Sequence, residues 1–319
     1  MENDKYISLL SNLDEFAERA IPELEAGMYE QALHHGIMTN KFLARLEQKW
    51  WKGFAAYESM YLSVIDTAKN YQVPLEVKGD ASIGYSSKYF ALLCIHGRAC
   101  QQFIEILALM RNGFADGAFS RWRSLLELSV YAYFIYDESE DVAKAYIEQA
   151  ELDERNPRWA ENSFRFKSCV PKVSTTFKSI FDKCSHPEKD FWYKEYRMAC
   201  KAVHASPEGT FGRISNSETS EGGIPAGRSN WGFYWPARYA AISFYRISAL
   251  FFGLFPNEEI ILKVKLLERW VDVICEHLYD TVRICFSEES GAPEIIAEYE
   301  ESRHKRTILF ETNEGHSST

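Results

Sequence analysis

The chain has 319 residues, a formal net charge of −10, and a composition that is 46% apolar and 15% aromatic. That is enough apolar surface for one sizeable core and room for two, and it excludes a mostly disordered chain, a collagen and a small disulfide scaffold. The acidic balance argues against general attraction to nucleic acid, which relies on clustered Lys and Arg.

The helical period dominates from the first residues. Stretches around Lys5–Arg19, Pro22–His34 and Asn40–Tyr71 read as three helices. The opening MENDKYISLLSNLDEF is charged from the start, so no signal peptide is expected. Gln72–Gly84 carries Pro74, Gly79 and Gly84 and breaks the pattern. It divides an N-terminal helical region, 1–78, from a helical core domain, 79–286.

Tyr89, Leu92, Leu93, His96, Ala99, Cys100, Phe103, Ile106, Leu107 and Met110 step by three and four. This predicts a helix from about Ser86 to Arg111, roughly 40 Å long, ended by Asn112–Gly113. A second stripe, Ala118, Trp122, Leu125, Ser129, Ala132, Tyr133 and Tyr136, follows so closely that the two helices are antiparallel neighbours. Shorter helices are expected near Asp141–Arg155, Ser174–Asp182 and Lys189–Val203.

From Arg155 to Lys183, seven basic residues face two acidic ones, a local charge of +5 with four aromatics interleaved. The stretch 155–183 is either a strip for RNA or another anionic ligand, or a solvated face beside an ordinary core. Ala205–Gly232 holds six glycines in 28 residues. A connection of that length is usually functional or disordered.

The most apolar stretch, Tyr239–Phe255, has 17 residues and Arg246 near its middle. It is too short and too charged to span a bilayer and reads as a buried core helix. Asn257 is an N-cap for a helix whose stripe runs from Ile260 to Val282. After Phe286 the period fades, and 287–319 reads as a flexible tail. The sum is an all-α, multi-helix bundle of about nine to eleven helices with long antiparallel core helices. Seven cysteines, an odd number without zinc spacing, fit a reduced cytoplasmic protein, and a homodimer is compatible with the pattern.

No phosphate loop, dinucleotide turn, nucleophile elbow or zinc pair is present, so no cofactor and no metal are expected. The one Glu-x-x-His spacing, Glu301–His304, lies in the polar tail.

Two polar constellations remain. Arg123 and Glu127 are four apart and can pair on one helix face. As a buried pair they either orient a site or fix helix register. In Tyr193–His204, Arg197 and His204 fall within about 20° of one helix face and roughly 10.5 Å apart, with Cys200 between them. There His204 could move the proton of an RNA 2′-hydroxyl while Arg197 stabilises charge on the phosphorane. This Arg-to-His spacing resembles that of HEPN-type helical ribonucleases, which need no metal. Tyr193, Tyr196, Cys200 and His204 also read as a core-facing stripe, with His204 capping the helix end. His96, on the apolar stripe of its helix, reads as a satisfied core histidine.

The run Arg111-Asn-Gly-Phe-Ala-Asp-Gly-Ala-Phe-Ser-Arg-Trp-Arg-Ser-Leu-Leu-Glu127 resembles the central motif of a bacterial family, domain-of-unknown-function family 5677. Tyr196-Arg-Met-Ala-Cys-Lys-Ala-Val-His204 resembles that family's second element, with Cys200 where members usually carry Ser. The resemblance spans roughly Tyr85–Phe255. It implies a helical fold and carries over Arg123, Glu127 and His204, and it supplies neither substrate nor cofactor. A remote HEPN-like affinity would imply RNA cleavage in a toxin or phage-defence setting, from a pocket covered by the Ala205–Gly232 loop. The alternative is a non-catalytic helical binding or scaffold module, or a binder of a small anionic ligand.

Overall fold

The structure, a computed structural model, describes residues 2–71, 86–152, 156–169, 174–203, 207–211 and 227–301. Among these residues all regular structure is helical and no strand occurs, as the periodicity predicts. The chain divides into two compact units, Met1–Gln48 and Lys49–Thr319.

The first unit is the opening part of α1 (Glu2–Asn70). Three helices were expected over this region, and one is found. Pro22 sits inside it. A proline removes one backbone hydrogen bond, but Glu23, Leu24, Glu25 and Ala26 are strong helix formers and the helix continues past it. From Asn12 to Lys41 every residue is exposed or half-exposed, including Phe16, Leu24 and Leu33.

The second unit holds residues 49–70 of α1 and all later elements. α2 (Ser87–Arg111) begins where the Ser86 hydroxyl accepts the Tyr89 N–H at 3.2 Å. It ends at Asn112, and Gly113 adopts the left-handed φ of 79° that turns the chain. α3 (Ala115–Asp137) follows at once and packs back along α2. Then come α4 (Glu140–Gln149), a 3₁₀ turn (Arg158–Asn162), α5 (Phe164–Lys167), α6 (Phe177–Lys183), α7 (Lys189–Val203) and α8 (Pro207–Phe211). α9 (Tyr234–Phe252) packs on α2, α3 and α10 (Glu258–Cys285). Asn257 caps α10 as expected, accepting the Ile260 N–H at 2.9 Å.

A column of rings runs through this unit. Tyr57 of α1 stacks on Phe103 of α2 at 3.8 Å, and Phe103 stacks on Phe244 of α9 at 4.2 Å. Phe244 lies parallel to His96 at 6.3 Å, and His96 stacks on Phe251 at 4.7 Å. All five are buried. The polar edges are satisfied inside the column: the Tyr57 hydroxyl donates to the Phe103 carbonyl at 3.1 Å, and His96 Nε2 meets Ser248 Oγ at 3.1 Å. α9 is therefore the buried core helix expected for the most apolar stretch. Arg246 escapes the apolar interior by pairing with Glu188 at 3.0 Å and lying over the Trp192 ring.

The tail differs from expectation. Gly291 turns with φ of 90°, and residues 292–301 form a further helix. Ala292 and Ile295 are buried, Tyr299 stacks on Tyr279 at 4.1 Å, and Glu298 pairs with Arg238. The stripe that drives it, positions 292, 295 and 299, is too short to stand out by period alone. Residues 302–319 and the Gln72–Gly84 break lie outside the described residues.

Phe244 touches both neighbours in the column and is fully buried. Phe244→Ala is expected to lower unfolding free energy by about 3–5 kcal/mol. The melting temperature should fall by about 10 °C. Thermal and urea unfolding of the full chain measure both.

Candidate functional site

The polar cluster forms where α7 crosses α3. On α3 the i, i+4 spacing pairs Arg123 Nη2 with Glu127 Oε1 at 3.1 Å, both side chains about a quarter exposed. From α7, the Tyr196 hydroxyl donates to the same Glu127 oxygen at 2.8 Å. Arg123 Nη2 donates to the Tyr196 hydroxyl at 3.3 Å, and its guanidinium lies over the Tyr196 ring at 5.3 Å. The two stretches are about seventy residues apart in sequence.

Apolar anchors bring them together. Trp192, one turn before Tyr196, is buried against Tyr239 at 5.3 Å and near Trp122 at 6.0 Å. Trp122 precedes Arg123 directly, and its indole N–H donates to Ser243 of α9 at 3.1 Å. Once Trp192 and the fully buried Ala199 are seated, Tyr196 must face α3. Phe177 of α6 closes the outer side of its ring at 4.5 Å.

Burial and the Glu127 carboxylate push the Tyr196 phenol well above its ordinary range, against the pull of Arg123. Burial also raises the Cys200 thiol, although Arg123 and Tyr196 pull the other way. For Arg123, burial opposes the charge, but the Tyr196 hydroxyl and the Glu127 carboxylate outweigh it and raise its pKa. Tyr196 is therefore a protonated phenol whose hydrogen bond goes to Glu127, and Cys200 is a thiol. Neither is a base near neutral pH. The buried Arg123 Nε–H has no partner among the described residues.

The remaining candidates sit elsewhere. Arg197 is exposed on α7, on a different side from Tyr196. His204 lies outside the described residues. His96 is in the aromatic column, and its imidazole is lowered to about 4 by burial. In the basic strip, Arg165 is held by Asp137 and Glu138 at 3.1 Å each and by the Lys183 carbonyl, and Lys178 pairs with Asp182. Its Arg155 and Lys172 lie outside the described residues. Of the long loop, 207–211 is helical and 227–232 is tied down, with the Ser229 N–H donating to the Gly113 carbonyl at 2.8 Å. Positions 212–226 lie outside.

Sequence reasoning missed a second buried imidazole. His186 Nδ1 donates to the Pro187 carbonyl at 2.9 Å, so Nε2 accepts from Ser129 Oγ at 3.3 Å. Burial, helped by Arg246, lowers it to about 3. Only Ser129, on the α3 stripe, was visible in the pattern. His186 lies between helices, where no period marks it. Glu195 and Tyr239, hydrogen-bonded on another side of α7, were likewise unmarked. Among the described residues no three His, Cys, Asp or Glu side chains gather to hold a metal ion, and no helix is long and apolar enough to cross a membrane.

Residues 89–222 match the model of the Family of unknown function (DUF5677). The matched stretch contains Arg123, Glu127, Tyr196 and Cys200. No curated protein and no solved structure matches the chain.

His96 and His186 are neutral when folded and protonate when unfolded below about 6.5. The unfolded chain then binds more protons. Their contribution to stability is therefore intact above pH 6.5 and lost progressively as pH falls toward 4 and then 3. Replacing His96 with Leu should flatten the dependence of unfolding free energy on pH in that window, by up to about 1.4 kcal/mol per pH unit. Urea titrations at stepped pH test this.

Proposed function

We propose that this chain is a helical interaction module, and that the Arg123–Glu127–Tyr196 cluster is a latch that holds α7 on α3 rather than a reaction centre. One observation carries the reading: the Tyr196 hydroxyl, the Glu127 carboxylate and Arg123 Nη2 bond to one another. The single proton of Tyr196 goes to Glu127, Arg123 Nη2 bridges the same two partners, and the carboxylate neutralises the guanidinium. A catalytic group needs a proton it can release or a lone pair it can use near neutral pH. Tyr196 and Cys200 are both pushed away from that range.

A latch has a thermodynamic signature. Glu127→Gln and Tyr196→Phe are each expected to cost about 1–2 kcal/mol of stability. Their double-mutant cycle should give a coupling near 1 kcal/mol. Additive effects would show that the contact does no structural work and overturn the latch.

A second reading, metal-independent RNA cleavage of the HEPN type in a toxin or phage-defence setting, draws support from the accessible Arg197 on α7. It requires His204 as the proton carrier. Purified chain is expected to leave single-stranded and folded RNA intact in the presence of chelator. Cleavage that His204→Ala abolishes would replace the first reading with the second.

A further inference from the structure

We infer that residues 49–70 of α1 together with α10 form the face on which two copies of this chain pair, antiparallel, about a two-fold axis. The inference stands on residues remote from the Arg123 cluster and does not depend on its role.

The two helix segments run antiparallel. Thr281 Oγ1 reaches the Lys49 carbonyl at 3.4 Å, the Trp270 indole N–H donates to the Ala56 carbonyl at 2.8 Å, and Lys263 approaches Asp66 at 3.9 Å. Their inner stripes are spent on the core: Trp50, Phe54, Tyr57 and Met60 on one, Leu267, Ile274 and Leu278 on the other. Gly53 allows the close approach, since a Cβ there would meet Leu278 Cδ2 at 2.6 Å.

The outer side carries large exposed apolar residues among its charges (Lys52, Arg269 and Glu276), more than a lone bundle needs on a solvent face. Toward one end lies an open groove of about 280 Å³ between Trp51, Lys52, Ala55 and Ser59 on α1 and Trp270, Val273 and His277 on α10. Toward the other end stands a ridge of Leu62, Leu262 and Leu266, each 58–59% exposed. Leu262, Leu266, Trp270, Val273 and His277 recur at three and four, so ridge and groove lie on one continuous stripe.

A groove and a ridge on the same face, roughly 13 Å apart along α10 at 1.5 Å per residue, are self-complementary. A two-fold axis between them places the ridge of each copy in the groove of the other, which makes an isologous contact that closes as a dimer. The point midway falls near residue 269, close to the centre of α10, so the two faces overlap along nearly the whole helix. α10 is about 42 Å long and the pair of helices about 20 Å wide with side chains. The footprint of that face is at most about 800 Å² per copy, of the order that a specific dimer buries on each partner.

Light scattering and sedimentation of the full chain at micromolar concentration should report a dimer. Leu266→Glu charges the ridge, and Ala55→Trp fills the groove. Both side chains face solvent in a single copy, so the melting temperature at low concentration should hold. Each variant should raise the dimer dissociation constant about 100-fold. Mixing the two variants should partly restore pairing, because one intact ridge then meets one intact groove. A monomeric wild-type chain, a dimer that survives both substitutions, or variants that pair no better together than apart would each overturn the proposal.

Discussion

The second unit depends on the stack of Tyr57, Phe103, Phe244, His96 and Phe251. These five side chains come from three helices, α1, α2 and α9, and no two adjacent helices would hold them in line alone. Flat rings at near-parallel angles set the distances between the helix axes and the rotation of each helix about its own axis. The one polar member is an imidazole, and it fits only because Ser248 meets its nitrogen and burial keeps it uncharged. A charge there would face the cost of an apolar interior with no counter-ion. The same constraint that makes the column tight makes it sensitive to acid.

The α3–α7 contact is built on this frame. Trp122 ties α3 to α9 through Ser243, and Trp192 seats α7 on the same pair through Tyr239. Only then do Arg123, Glu127 and Tyr196 meet. Two aspects of α7 follow from one register: Tyr196 turns to Glu127 on α3, and Glu195 turns to Tyr239 on α9. Each is a tyrosine–carboxylate bond on a different side of the helix. Such pairs hold a helix against rotation as well as against separation.

Much of the architecture was legible because a buried helix must repeat its apolar residues every three or four positions. α2, α3, α9 and α10 are long enough for that repeat to dominate, and Ser86, Asn112–Gly113 and Asn257 mark their ends by hydrogen bonds that lie within a few residues. The N-terminal region misled for the opposite reason. Pro22 suggests a break, but a proline costs one hydrogen bond and a helix of good formers continues through it. The helix at 292–301 escaped notice because its apolar stripe is three residues, and its stability comes from Tyr279 and Arg238 far earlier in the chain.

The sequence by itself determined the all-helical class, the positions of α2, α3, α9 and α10 and the Arg123–Glu127 pair, because each rests on spacings of three or four residues. It also pointed to the family whose model residues 89–222 match, through the runs at Arg111–Glu127 and Tyr196–His204. Only the tertiary structure decided that Tyr196 closes onto that pair, that His186 is buried beside Ser129, and that Trp51 and Trp270 flank one groove. Those contacts join residues 57 to more than 200 positions apart. No local hydrogen bond or period encodes them. They follow from how the packed helices rotate to bury their aromatic faces.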